Sequence, residues 1–213
     1  MSHDVEISCR CRQIHGWLRG ASPQTVHRII CYCDDCQAAL HHLGRVDLID
    51  AHGGSDAIQV SPASVSFDRG TERIVGLRLS PKGRYRWYAS CCCTPLCNTV
   101  SRPVPVLPMS TSLVLADAAR RDELFGTPRG AFGGKYAIGG VADGLPNLGH
   151  GARWNYLLMV LGWNRGGTKW KAWPNPFFDP TTRALKYPLL KTLSNEERDA
   201  LRPLCGPNPK TPK

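Results

Sequence analysis

The chain of 213 residues has no long apolar stretch. Its longest run, Tyr156-Leu-Leu-Met-Val-Leu-Gly-Trp163, falls far short of the ~20 residues a membrane span requires. The first residues, Met1-Ser-His-Asp-Val-Glu-Ile-Ser8, carry neither the basic n-region nor the apolar h-region of a secretory signal. The expectation is a soluble, cytoplasmic protein with no membrane partner, in a compartment that keeps thiols reduced. Internal repeats are absent, and no polar linker cuts the chain. Although 27 Lys and Arg against 17 Asp and Glu leave a formal charge of +10, no run of five or six basic residues occurs. The charge therefore reads first as a solvated basic surface able to attract a small anion. A nucleic-acid face, with Trp170 and Trp173 stacking on bases beside Lys169 and Lys171, is a partner reading that remains open but is not favoured.

What the chain does have is cysteine. Nine of its ten cysteines lie in three clusters within the first hundred residues: Cys9-Arg-Cys11, Cys31-Tyr-Cys33-Asp-Asp-Cys36 and Cys91-Cys92-Cys93-Thr-Pro-Leu-Cys97. In a reducing compartment such clusters favour metal ligation over disulfides. Thiolates one to three residues apart can converge on one soft cation.

Cys9 and Cys11 can share a metal only if the chain turns between them, and two thiolates alone hold it weakly. They need a second pair from far along the sequence, which the cluster at 91–97 alone can spare. A Zn(Cys)4 site joining the two would be structural, stapling the first strand to the last ones, its binding energy being folding energy. Cys9 and Cys11 give two of its ligands, and spacing does not decide which of Cys91, Cys92, Cys93 and Cys97 give the others. Cys31, Cys33 and Cys36 offer three thiolates with no evident fourth. Such a metal site keeps one position open, the mark of a catalytic centre. Asp34, Asp35, His41 and His42 lie close enough in sequence to move protons, but read first as helix caps or surface groups. Either histidine could also close the site. Cys205 reads as a lone buried or free thiol.

Residues 4–110 read as mostly β, with strands expected near 5–8, 13–18, 57–60, 64–68, 73–79, 84–90 and 98–103 between turn residues. One helix is expected from Asp34 or Asp35, either of them a cap, to Gly44, which puts Cys36 in the first turn where a thiolate is stabilised. Residues 126–152 are glycine-rich and irregular. A buried helix is expected over 152–161, and Ser194-Asn-Glu-Glu197 has the form of a capping box opening a helix to about Leu204. Gly130-Ala-Phe-Gly-Gly-Lys135 mimics a phosphate loop, but it is one residue short and has Tyr136 where Ser or Thr is needed; it reads as a flexible loop. The fold class is mainly β, α+β overall, with residues 1–110 as the zinc-binding part and 111–213 as a partly helical extension packed on it.

The C-x-C pair, the C-x-C-x-x-C some twenty residues on, and the late cysteines running into Thr94-Pro95-Leu96 resemble the glutathione-dependent formaldehyde-activating enzyme family, which includes centromere protein V. Gly53-Gly54 and Gln59-Val-Ser-Pro62 fit the same pattern, so the resemblance covers about residues 5–110. It implies a β-tent fold with two zincs: a structural one held by the first pair and the late pair, and a labile one at the active site on Cys31, Cys33 and Cys36. It further implies a carbon–sulfur lyase acting on a glutathione or other small-thiol adduct, with S-hydroxymethylglutathione as the family's named substrate. The chain departs from the family in three places. Arg12 stands where glycine usually follows the first pair, and Tyr32 where the middle motif usually has His. The late motif aligns with Ala89 at its first cysteine and Cys93 at its glycine. Cys92 then keeps its role, and Cys91 or Cys97 supplies the missing ligand. The alternative is a zinc-stapled module without catalysis that binds nucleic acid or protein.

Overall fold

The computed structural model describes residues 2–148 and 171–207. Among them are strands β1 (His3–Ser8), β2 (His15–Ala21), β3 (His27–Cys31), β4 (Ser55–Val60), β5 (Val65–Arg69), β6 (Ile74–Arg78), β7 (Tyr85–Ala89), β8 (Pro95–Thr99), β9 (Leu107–Ser110), β10 (Ala131–Phe132) and β11 (Leu189–Thr192). The helices are α1 (Asp34–His42), α2 (Ala118–Phe125) and α3 (Asn195–Ala200). The fold is mainly β. A three-stranded antiparallel sheet has the order β1-β2-β5, and an eight-stranded sheet the order β10-β3-β4-β9-β8-β7-β6-β11. Only the outermost pairs of the large sheet, β10 with β3 and β11 with β6, are parallel. Both of these edge strands come from beyond residue 110.

The small sheet packs on one face of the large one, and the alternation of strand residues shows why. Val5 and Ile7 of β1 point inward between exposed Asp4 and Glu6. They meet Leu18, Val65, Ile58, Val60, Ile74 and Leu96 in one core. Trp87 sits at its centre, 1% exposed, stacked on Phe177 with ring centroids 5.6 Å apart, and its Nε1 donates to Thr99 Oγ1 (2.9 Å). Truncating a buried tryptophan of this kind costs about 3–5 kcal/mol. On β7 the period of two sends Trp87 and Ala89 into this core and Arg86 to the opposite face. There α1 lies against the sheet, Ala38 and Ala39 packing with Leu77, Leu79 and Leu193.

Several expectations are corrected. The pattern conceals β3 because His27 and Arg28 interrupt its apolar run; Arg28 is nevertheless buried, its guanidinium held by Asp56 (2.8 Å) and Asp122. Likewise β9 is concealed by Pro108, which is tolerated because β9 pairs with β8 only at Cys97–Met109. The strand expected at 98–103 lies at Pro95–Thr99, starting on a proline as a strand can. Neither Asp34 nor Asp35 caps α1: its N-cap is Cys33, without a side-chain hydrogen bond, and both aspartates occupy the first turn. The stretch at 130–135 is no free loop, since Ala131 and Phe132 pair with Ile30 and Cys31. The capping box is present, with Ser194 Oγ accepting from Glu197 N and the Glu197 carboxylate accepting from Ser194 N. Its helix stops at Ala200, and a 3-10 turn over Arg202–Leu204 follows. The helix expected at 152–161 lies outside the described residues, as does Trp170. Trp173 is half-buried against the core.

Candidate functional site

Two turns bring the first cysteine group together. After β1 the backbone folds back, with Arg12 N donating to Cys9 O (2.8 Å) and Cys9 N to Ile14 O (3.1 Å). The turn between β7 and β8 closes through Cys93 N to Ala89 O (2.8 Å) and Ala89 N to Thr94 O (2.9 Å). Each turn needs one residue in the left-handed region, and in neither is it glycine: Arg12 has φ 60° and Cys93 φ 54°. The turns place Cys9, Cys11, Cys91 and Cys92 with their sulfurs within 4.8 Å of one another. The separations are 3.6 Å for Cys9–Cys11, 3.8 Å for Cys9–Cys91, 3.3 Å for Cys11–Cys91 and 3.9 Å for Cys91–Cys92. Four sulfurs at ~2.3 Å around a tetrahedral zinc lie about 3.8 Å apart. The set therefore fits such an ion, and it joins the small sheet to the large one. Cys93 shares the turn but not the group. Cys97 is excluded by its position on β8, buried in the core, where desolvation pushes its thiol well up.

Buried Thr94 organises this centre. Its Oγ1 accepts from Arg10 N (3.0 Å) and Arg45 Nη1 (3.2 Å), which leaves its own proton for Cys92 Sγ at 3.1 Å. Burial opposes a thiolate on Cys92, but the bonds from Thr94 and from the Cys11 backbone outweigh it and bring this thiol down to about 6. Desolvation raises Cys9 and Cys91 instead, so Cys92 ionises before either of them.

The second group is Cys31, Cys33 and Cys36. Cys31 closes β3, Cys33 is the N-cap of α1 and Cys36 lies in the helix's first turn, its N–H donating to Cys33 O (2.9 Å). Cys31 Sγ is 3.3 Å from Cys33 Sγ and 3.6 Å from Cys36 Sγ. Tyr32, between them, is fully buried, with its hydroxyl 3.4 Å from Asp50 Oδ2. Gln37 braces the loop: its Nε2 donates to Tyr32 O (2.6 Å) and Tyr136 O (3.1 Å), and its Oε1 accepts from Gly206 N (2.8 Å). Gly133, at φ +70°, passes so close that a Cβ there would lie 3.0 Å from Cys33 N. Among the described residues no fourth His, Asp, Glu or Cys joins this group; His41 and His42, in the last turn of α1, stay out of it.

Arg86 supplies the electrostatics. Its side chain is 9% exposed, Nη1 donates to Cys36 Sγ (3.6 Å), and Nη2 is 3.6 Å from Asp35 Oδ2. Hydrogen bonds from Cys31 and Cys33, with Arg86 beside them, hold Cys36 well below the usual thiol range. Cys31 and Cys33 are pushed up, since one negative charge in the trio disfavours the next. Burial works against the Arg86 charge, but Cys36, Cys33 and Asp35 more than restore it. Asp34 and Asp35 are tied by Arg198 (3.4 and 3.2 Å), and Asp34 also by Arg202 (2.7 Å).

The three cysteines form part of the wall of a cavity of about 1110 Å³. The cavity lies on the face of the large sheet opposite the core. Its floor includes Ile29, Ala57 and Ser110, and its wall includes Asp34, Asp35, Arg84 and Arg86. Spacing found Cys9, Cys11, Cys31, Cys33 and Cys36 and the cluster at 91–97, and the fold selects Cys91 and Cys92 from that cluster. Arg86 and Arg45 carry no such signal, because each reaches its centre from a strand or loop without a motif, and Thr94 stands in the late motif with no role that the spacing assigns. Among the described residues no helix is long and apolar enough to cross a membrane.

Fold and site together define a mainly β protein with two cysteine groups, each able to hold a metal ion. A family of unknown function (DUF6151) matches residues 1–179, and the chain belongs to it. No curated protein matches the chain significantly.

Proposed function

We propose that the protein is a zinc-dependent carbon–sulfur lyase acting on an adduct of glutathione or another small thiol. In this reading Cys9, Cys11, Cys91 and Cys92 hold a structural zinc, and Cys31, Cys33 and Cys36 a labile one. The observation that carries it is the contrast between the two groups: one has four thiols, the other three in the wall of a large cavity. The resemblance to the formaldehyde-activating family supports the same assignment through its motifs. A zinc on the three thiolates would supply a Lewis-acidic position for one further sulfur or oxygen ligand.

The chain's own residues do the rest. Three thiolates around a divalent cation leave one net negative charge, and Arg86 offsets it from 3.6 Å. Asp35, half exposed in the cavity wall, is the carboxylate placed to take a thiol proton toward solvent. Arg84 adds positive charge to the wall, suiting an anionic thiol.

The test is turnover of glutathione and formaldehyde to S-hydroxymethylglutathione, followed by NMR with wild type and Cys33→Ser. The variant is expected to lose the acceleration while keeping the β-sheet circular dichroism of wild type. Equal rates in the two proteins would overturn the assignment.

A further inference from the structure

The cavity extends well beyond the cysteines. Residues two apart on a strand face the same way, so His27, Ile29 and Cys31 of β3 line it together, with Cys31 and His27 about 13 Å apart along the strand. Their partners on β4 repeat the pattern: Ser55 opposite Cys31, Ala57 opposite Ile29, Gln59 opposite His27. The floor is thus sulfur at one end, apolar in the middle and polar at the other.

The polar end is unsatisfied. His27 Nδ1, Gln59 Oε1 and Arg121 Nε are buried atoms without a hydrogen-bond partner, and all three residues line the cavity. Arg129 lines it as well; among the described residues its one side-chain bond is from Nη2 to Pro23 O (2.6 Å). Among the described residues neither Arg121 nor Arg129 has a carboxylate partner. Asp56, also in the wall, is taken: Arg28 holds both its oxygens through Nε (2.9 Å) and Nη2 (2.8 Å). Arg28 also grips Asp122 and Gly126 O, which ties down α2, the helix that carries the lining residue Arg121. Burial, and then the Arg129 charge, bring the His27 imidazole down to about 4, so it is neutral near pH 7 and can donate from one nitrogen. Among the described residues two guanidinium groups without acid partners and the buried, unpaired His27 Nδ1 all line this cavity, a donor set suited to an anion.

We infer that His27, Arg121 and Arg129 form a carboxylate-binding subsite that selects a thiol bearing a carboxylate across an apolar spacer. The identity of the thiol end rests on the proposed function; the carboxylate end does not. The planar fork of Arg121 takes the carboxylate oxygens, with Arg129 adding charge from the rim. Ile29 and Ala57 cover the stretch between the two ends.

The probes are mercaptooctanoic acid, with thiol and carboxyl at opposite ends, the matching mercaptooctanol, and octanoate, which has no thiol. Binding of the two thiols is read from the absorption of the cobalt-loaded protein, and octanoate binding by calorimetry, for wild type and Arg121→Gln. The change lies on the surface helix α2, and an unchanged thermal midpoint verifies the fold. Wild type is expected to bind the thiol acid about tenfold more tightly than the alcohol. Arg121→Gln is expected to erase that preference while binding the alcohol as before. Equal affinity for acid and alcohol in wild type, or a preference that survives in the variant, overturns the subsite. If neither thiol perturbs the cobalt spectrum, the lyase reading falls and octanoate decides the subsite alone. Octanoate binding that is weakened in the variant sustains it, and binding that is absent or equal in both proteins overturns it.

Discussion

Replacing Arg86 with Gln removes a buried cation beside the three-cysteine group and leaves most of the side-chain volume. At 3.6 Å from Cys36 Sγ, one unit charge is worth about 4–5 kcal/mol with an effective dielectric near 20. Part of that charge is shared with Asp35, also 3.6 Å away, so roughly half, about 2–3 kcal/mol, falls to the thiolates. That corresponds to a loss of about 10²-fold in affinity for a divalent metal at this centre. The assay is competition with a chromophoric chelator, which reads the two centres as two phases of release. Arg86→Gln is expected to shift the early phase by about 10²-fold and leave the late phase in place. Arg86→Lys, which keeps the charge, is expected to recover most of the loss. An early phase unmoved by Arg86→Gln would refute the claim that this arginine offsets the thiolate charge.

Other consequences can be checked together. Cys11→Ser is expected to lower metal content by one equivalent and the melting temperature by several degrees, whereas Cys97→Ala costs roughly 1–2 kcal/mol from the core without changing metal content. Cys93→Gly is expected to raise stability by roughly 0.5–1 kcal/mol in a thermal melt, because φ 54° strains any side chain there. His27 binds its proton less readily when folded, about 4 against an ordinary 6.5, so the unfolded chain takes up more protons between those values. Stability from this group is complete above pH 6.5 and is lost as pH falls toward 4, by roughly 3 kcal/mol in all. Melting curves of His27→Gln against wild type should diverge over that window, and parallel curves would contradict the burial of a neutral imidazole.

Much of this architecture could be read from residues in a row. Alternation in 5–8 and 84–90 located β1 and β7, and the spacing of the cysteines located the three-cysteine group, the first pair of the other and the cluster that completes it. The choice among Cys91, Cys92, Cys93 and Cys97 could not be read, because it depends on the turn after Ala89: that turn points Cys91 and Cys92 toward Cys9 and gives Cys93 the left-handed position. β3 was hidden because Arg28 looks like a surface residue until Asp56 and Asp122 arrive from 28 and 94 residues away. Arg86 was hidden for the same reason, its partners lying on α1. The polar end of the cavity is a cross-strand pairing of His27 with Gln59, with Arg121 of α2 in the same wall, a relation that exists only in the folded sheet.

The most direct test of the central claim is zinc per chain on the reduced, purified protein, before and after brief treatment with a mild chelator. The account expects two zincs, one of which leaves readily while the sheet signal and melting temperature stay close to those of the loaded protein. A single tightly held zinc, or two that resist the chelator equally, would contradict an open three-thiolate centre beside a closed four-thiolate one.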